Sequence, residues 1–199
     1  MIKLILVRHA QSQANDLKWL SGHSETILSK EGEIQVKKLS KYLYKQKIDS
    51  IYSSPMQRCL ETVGHIAKKE NIPIKIIDDF REINFGVFEN NTFEEINCLY
   101  PKEVDKMLKE GHAYTYPEGE SIIDSYKRTI RSIKLILDET EKKNILICAH
   151  AGTIRNLLSY FVTSNYEAHW HFQIDNASVT IVEITDGFPV IKVMNNIDY

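Results

Sequence analysis

Ile2-Lys3-Leu4-Ile5-Leu6-Val7 runs almost without polar interruption and ends in Arg8-His9. A run that apolar reads as a strand buried on both faces, the condition of a strand inside a parallel sheet. Such a strand needs helices to cover it, and the chain supplies them in alternation. Ser29 predicts an N-cap, with Glu31 in the first turn and Ile34, Leu39 and Leu43 facing the core. Residues 49–53 read as a second strand. Ser54-Pro55-Met56-Gln57 then offers a cap, a proline at the first helical position and a capping-box glutamine. Met56, Cys59, Leu60, Val63, Ile66 and Ala67 recur at helical spacing behind it. Residues 74–77 form a third short strand, and Thr92 with Glu95 makes a capping box that opens another helix. Ser121 caps a helix that turns Ile123, Tyr126, Ile130, Ile133 and Leu137 inward. Residues 144–149 read as a fourth strand, and Gly152 leads into a helix carrying Ile154, Leu157, Leu158 and Phe161. Two last strands, 178–184 and 190–194, flank an Asp186-Gly187 turn. Strands alternating with helices predict an α/β fold, a three-layer α/β/α sandwich with a mostly parallel central sheet.

The size and charge of the chain narrow its partners. At roughly 150 residues per domain, 199 residues suit a single domain over 1–199, with a helical insert at 92–119. Acidic residues number 27 against 25 basic ones, a net charge of −2, which leaves no surplus to neutralise a nucleic-acid backbone. No apolar run approaches the ~20 residues of a membrane span, so neither nucleic acid nor membrane is an expected partner. The first residues enter a core strand directly and do not read as a signal peptide. Cys59, Cys98 and Cys148 form no CxxC pair and cannot all pair with one another, which predicts a reduced, cytoplasmic compartment. Monomer and homodimer both stay open.

Ligands of open α/β sheets sit beyond the carboxyl ends of the strands. Three strands here end suggestively: in Arg8-His9, in Ser53-Ser54-Pro55 with Arg58 behind it, and in His150-Ala151-Gly152. Two histidines and two arginines would converge on one rim. Lysine is the default cation of this chain, and only six of the 25 basic residues are arginine. Arg8 and Arg58 follow strands, and Arg155 opens a helix. A guanidinium fork suits bidentate contact with phosphate, and a helix N-terminus nearby adds to an anion site. A histidine held there can serve as a nucleophile.

Leu6-Val7-Arg8-His9-Ala10-Gln11-Ser12-Gln13-Ala14-Asn15 resembles the signature of the histidine phosphatase superfamily, in its phosphoglycerate-mutase-like branch. Four later blocks in the same order extend the resemblance over nearly the whole chain. They are Ser53-Ser54-Pro55-Met56-Gln57-Arg58 with Glu61-Thr62, the Phe80-Arg81-Glu82-Ile83-Asn84-Phe85-Gly86-Val87-Phe88-Glu89 segment, Pro117-Glu118-Gly119-Glu120-Ser121, and Ala149-His150-Ala151-Gly152-Thr153-Ile154-Arg155. The resemblance implies a metal-independent phosphomonoesterase with no cofactor, acting on a small phosphorylated metabolite through a phosphohistidine. His9 would be the nucleophile, and Arg8, Arg58 and His150 would bind the phosphoryl group with Asn15 assisting. Glu82 would be general acid and then base. Ser12 and Gly22 stand at phosphate- or substrate-binding positions. An acid in that role must be protonated near neutral pH, which calls for a raised pKa at Glu82, with Phe85 and Phe88 helping to desolvate it.

The chain departs from the pattern at Ala10 and Ala151, where the family has glycine. An alanine would be strained at either position if φ had to be positive. His23 reads equally as a substrate contact and as a surface-loop histidine, and His65 reads as solvated. His169-Trp170-His171 lacks a third ligand and reads as structural, without metal. Tyr114, Tyr116 and Phe93 read as aromatic packing, with the substrate mouth as their other role. A phosphoglycerate mutase is the near alternative, and an inactive relative that binds a phospholigand or a partner is the other. Against a mutase stand the short insert, the absence of an asparagine after His150, and the few further arginines. Of these, Arg128 and Arg131 have the spacing of a helix surface.

Overall fold

The apolar run at the N-terminus becomes the centre of the sheet. In this computed structural model, which describes residues 1–139, 141 and 143–199, β1 (Ile2–Arg8) has Leu4, Ile5, Leu6 and Val7 wholly buried. Beside it lie β2 (Ser50–Ser53), β3 (Ile74–Ile76), β4 (Asn144–Ala149), β5 (Val179–Thr185) and β6 (Phe188–Asn196). Their order is β3-β2-β4-β1-β5-β6. The first four strands in that order pair in parallel, and β5 pairs antiparallel with both β1 and β6. The period-two geometry of β1 sends Ile5 and Val7 to one face and Leu4 and Leu6 to the other.

Each face is covered by two helices. α1 (Gln13–Asp16) is a single turn, and α2 (Lys30–Leu43) and α3 (Gln57–Glu70) pack Val36, Leu39, Leu43, Val63 and Ile66 on Ile5 and Val7. Between the layers' connections come the insert helices α4 (Phe93–Leu99) and α5 (Pro101–Glu110). α6 (Ile122–Glu139) and α7 (Ala151–Thr163) bring Ile130, Ile133, Ile154, Leu157 and Leu158 onto Leu4 and Leu6. The result is the three-layer α/β/α sandwich. The insert has its own small core of Ile96, Val104, Tyr114 and Tyr116, joined to Ile83, Phe88 and Ile122 of the body.

Three local expectations shift. Ile34 is 45% exposed and Val36 takes the core position on α2. On α6 the inward stripe starts at Ile122 rather than Ile123, which is only half-buried. α3 starts at Gln57 with Met56 as its cap and no side-chain cap bond. Ser54 lies two residues ahead of that cap, where its hydroxyl accepts from Met56 N at 3.4 Å and also meets His150 Nε2 at 2.8 Å. By contrast Ser29 and the Thr92–Glu95 capping box hold their helices as the sequence predicts.

Candidate active site

The register of three strands sets the floor of a cavity. Arg8 lies opposite Ala149 and Ser53 opposite Cys148. The next backbone bonds, His9 N to Ala149 O at 3.0 Å and Ser54 N to Cys148 O at 3.0 Å, continue the sheet by one residue. His9, Ser54 and His150 are thus delivered side by side at the strand ends, with the His9 and His150 ring centroids 5.1 Å apart, edge to face.

His9 donates from Nδ1 to the carbonyl of Ala10 at 2.8 Å. A carbonyl only accepts, so Nε2 carries the lone pair of the neutral ring. Burial lowers the His9 pKa well below the usual histidine value, and the charges of Arg58 and Arg8 lower it further. A neutral imidazole with an open Nε2 is a nucleophile at physiological pH. His150 is fully buried, and burial also lowers its pKa, followed by Arg58, His9 and Arg8. When Ser54 is the donor to Nε2, the proton rests on Nδ1, which is a buried atom without a partner. A buried donor without a partner costs about 1–3 kcal/mol, so it awaits an acceptor.

Arg8 donates through Nη1 to Ile174 O at 2.6 Å, and its Nε is also buried and unpartnered. Arg58 is 1% exposed and donates to the carbonyls of Gly22 (2.8 Å), Ser24 (3.0 Å) and Ser21 (3.3 Å). Asn15 uses Oδ1 to accept from Ser12 N and from Asn176 Nδ2, both at 3.0 Å, leaving Nδ2 to donate. Glu82 is 9% exposed, and its carboxylate accepts from Ile83 N at 2.9 Å and from Gly152 N, in the first turn of α7, at 3.0 Å. A Cβ on Gly152 would lie 2.2 Å from Glu82 Oε1, so this close approach requires a glycine.

Arg8, His9, Asn15 and Glu82 line one cavity of about 540 Å³. His150 and Arg58 are buried beside His9, behind this wall. Ser12 and Gly22 are not on its wall. Ser12 caps α1 in a capping box with Asn15. Gly22 supplies a carbonyl to Arg58 and packs where a Cβ would meet Ile83 O at 1.9 Å. His23 is exposed and away from the cavity wall, and His65 is exposed. Ala10 and Ala151 are outside the positive-φ residues, so neither alanine strains the backbone. Phe85, Phe88, Tyr116 and Phe93 stand on the same cavity wall as Glu82, while Tyr114 is a core residue bonded to Glu103 at 2.9 Å. Burial, with the Glu82 charge, pushes the Tyr116 hydroxyl up to about 12. His169 is buried against Asn156 Oδ1 at 2.8 Å. Among the described residues no three His, Cys, Asp or Glu side chains form a metal-binding group.

One arginine differs from the sequence reading. Arg131 is on the helix surface, but Arg128 is not. It grips Glu120 with two bonds (2.6 and 2.9 Å) and donates to the carbonyls of Asp79, Arg81 and Glu82 at 2.5 to 2.9 Å. This clamp fixes the segment that carries Glu82. Glu120 lies within one of the quoted sequence blocks, which is the signal that could have found its partner. Arg155 is the second arginine of the cavity wall, donating from Nε to Phe172 O at 2.9 Å and lying 5.2 Å over the Trp170 ring. Asn176, which also donates to His9 O at 3.2 Å, left no local mark in the sequence.

Residues 4–197 match the histidine phosphatase superfamily, branch 1. The chain belongs to that superfamily. Phosphoserine phosphatase 1 of Hydrogenobacter thermophilus is 30% identical to it, over 98% of this chain and 92% of the relative. An adenosylcobalamin/alpha-ribazole phosphatase of Escherichia coli is 25% identical, over 98% and 96% of the two chains. A mutant phosphoserine phosphatase of Entamoeba histolytica, solved with phosphoserine, superposes with a TM-score of 0.85 at 27% identity, over 100% of this chain and 98% of that one. The chain is a phosphoric monoester hydrolase of this superfamily. No described helix is long and apolar enough to cross a membrane.

Proposed function

We propose that the chain hydrolyses a small phosphorylated metabolite in two steps, with His9 Nε2 as the nucleophile. In the first step the P–N bond to His9 forms as the ester P–O bond breaks, and the departing alcohol oxygen takes a proton from Glu82. In the second, water attacks phosphorus and gives its proton to Glu82, the P–N bond breaks, and inorganic phosphate leaves. Arg8, His150 Nδ1 and Asn15 Nδ2 donate to the phosphoryl oxygens, where charge is spread in the transition state, and the charge of Arg58 reinforces them. The observation that carries the reading is the Nδ1 bond of His9 to Ala10, which leaves Nε2 as the base-free attacking atom over a cationic floor.

Water is the acceptor in this reading because the wall offers one arginine, Arg155, beyond Arg8 to hold a second anionic group. The insert 92–119 serves as the cap of a single domain over 1–199. A cytoplasmic setting is supported by Cys59, Cys98 and Cys148, all free thiols. Millisecond mixing with p-nitrophenyl phosphate tests the two steps. Expected is a burst of p-nitrophenolate stoichiometric with enzyme wherever dephosphorylation is the slower step, with methanol partitioning against water for the phosphoryl group. Phosphate release without any partitioning at fixed alcohol release would contradict the shared intermediate.

A further inference from the structure

The cavity is larger than its phosphoryl floor requires. It measures about 540 Å³, whereas a phosphoryl group takes the room of a few water molecules at about 30 Å³ each. The remaining wall is largely apolar. Trp19 comes from the loop after α1, Phe85 from the Glu82 segment, Phe93 and Leu108 from α4 and α5, and Trp170 from the turn after α7. Phe93, Leu108 and Trp170 are 52%, 72% and 58% exposed, so they are not placed there to build a core. Large apolar side chains left in water around a concave site mark a surface that a ligand covers.

The charges on the wall are few. Among the described residues no lysine lines the cavity, and Glu82 is its one carboxylate. Arg155 is already engaged, donating from Nε to Phe172 O at 2.9 Å with its guanidinium 5.2 Å over the Trp170 ring. Beyond the phosphate, then, the wall does not offer the paired opposite charges that a zwitterionic amino-acid body would need.

Resting on the phosphatase reading above, we infer that the substrate is a phosphate monoester of a bulky apolar or aromatic alcohol, whose organic body is gripped by Trp19, Phe93, Leu108 and Trp170. Desolvating that body against these side chains supplies binding that a small or charged alcohol cannot.

The test compares kcat/KM of the full chain for phenylpropyl phosphate, ethyl phosphate and O-phospho-L-serine, all esters of primary alcohols with similar intrinsic reactivity. The phenylpropyl ester is expected to exceed both others by at least about tenfold, mainly through KM. In Phe93→Ser and Trp170→Ser, changes at exposed positions, that ratio is expected to fall several-fold. Phosphoserine turned over as well as or better than the phenylpropyl ester would overturn the inference and leave the phosphatase reading standing. A preference that survives both variants would remove these side chains from the account and overturn it too. Absence of hydrolysis of all three esters, with no phosphoenzyme formed from p-nitrophenyl phosphate, would take down both readings.

Discussion

His9 and Phe93 face the same cavity and are held in opposite ways. The His9 backbone is tied to β4 through Ala149 and to Ala177 and Asn176, and its ring is tied to Ala10. Phe93 is the first residue of a seven-residue helix and half its surface is in water. The floor is therefore set by sheet register, which cannot drift without breaking ladder bonds, whereas the insert wall is set by side chains that can change freely. Such a division suits an enzyme class in which one reaction serves many alcohols. It also predicts that damage should be severe and substrate-independent at the floor, and mild and substrate-dependent at the wall.

The largest effect is expected from His9→Ala. Turnover should fall by at least ~10³-fold on every ester, since His150 and Ser54 beside it are buried and bonded to each other. Steady-state assays on two unlike esters check this, and near-normal activity on either would break the distinction. Arg58→Lys should cost about 10²-fold in kcat/KM, because a point charge cannot satisfy the carbonyls of Ser21, Gly22 and Ser24 while still facing the histidines.

Arg128→Gln sharpens the comparison, since Arg128 touches the Glu82 segment from outside the cavity. Loss of the clamp should lower kcat for alkyl esters by about tenfold or more with KM little changed. The loss should be smaller with p-nitrophenyl phosphate, whose leaving group departs without a proton. Equal losses on both would mean that Arg128 only stabilises the fold.

The buried histidines give the floor a pH signature of its own. His9, His150 and His169 are all depressed by burial, His169 to about 3, against 6.5 when exposed. Below pH 6.5 the unfolded chain binds protons that the folded chain refuses, so stability falls with pH from there toward about 3 and is fully retained above it. Thermal melts of the ligand-free protein should show Tm dropping between pH 7 and pH 5, and a flat or rising Tm would contradict it. No effect is expected from excess chelator, because Arg8 and Arg58 supply the floor's positive charge. Activity lost to EDTA and restored by a divalent ion would show otherwise.

The floor was legible in the sequence because its residues follow strands directly, and the strands announce themselves by composition. Arg8-His9 needs only the recognition that Ile2 to Val7 is buried on both faces. Helix phase was less legible. Ile34 and Val36, or Ile122 and Ile123, compete for one inward position, and only the tertiary neighbour decides. The Ser54 contact with His150 is not legible locally, because the two are 96 residues apart. Arg128 and Arg131 share a helix and a charge; what separates them is the loop 79–82 packed beside one of them, which spacing along α6 cannot show. The contact of His169 with Asn156 belongs to the fold and leaves no mark in the local sequence.

The most direct test of the account is to find where the phosphoryl group goes. Wild-type protein mixed with radiolabelled substrate and quenched in alkali within milliseconds should carry acid-labile, base-stable label, and peptide mapping should place it on His9 Nε2. The same label should be absent from His9→Ala. Label on another residue, or rapid phosphate release with no phosphoenzyme detectable at any time point under conditions where dephosphorylation is slowed, would contradict it.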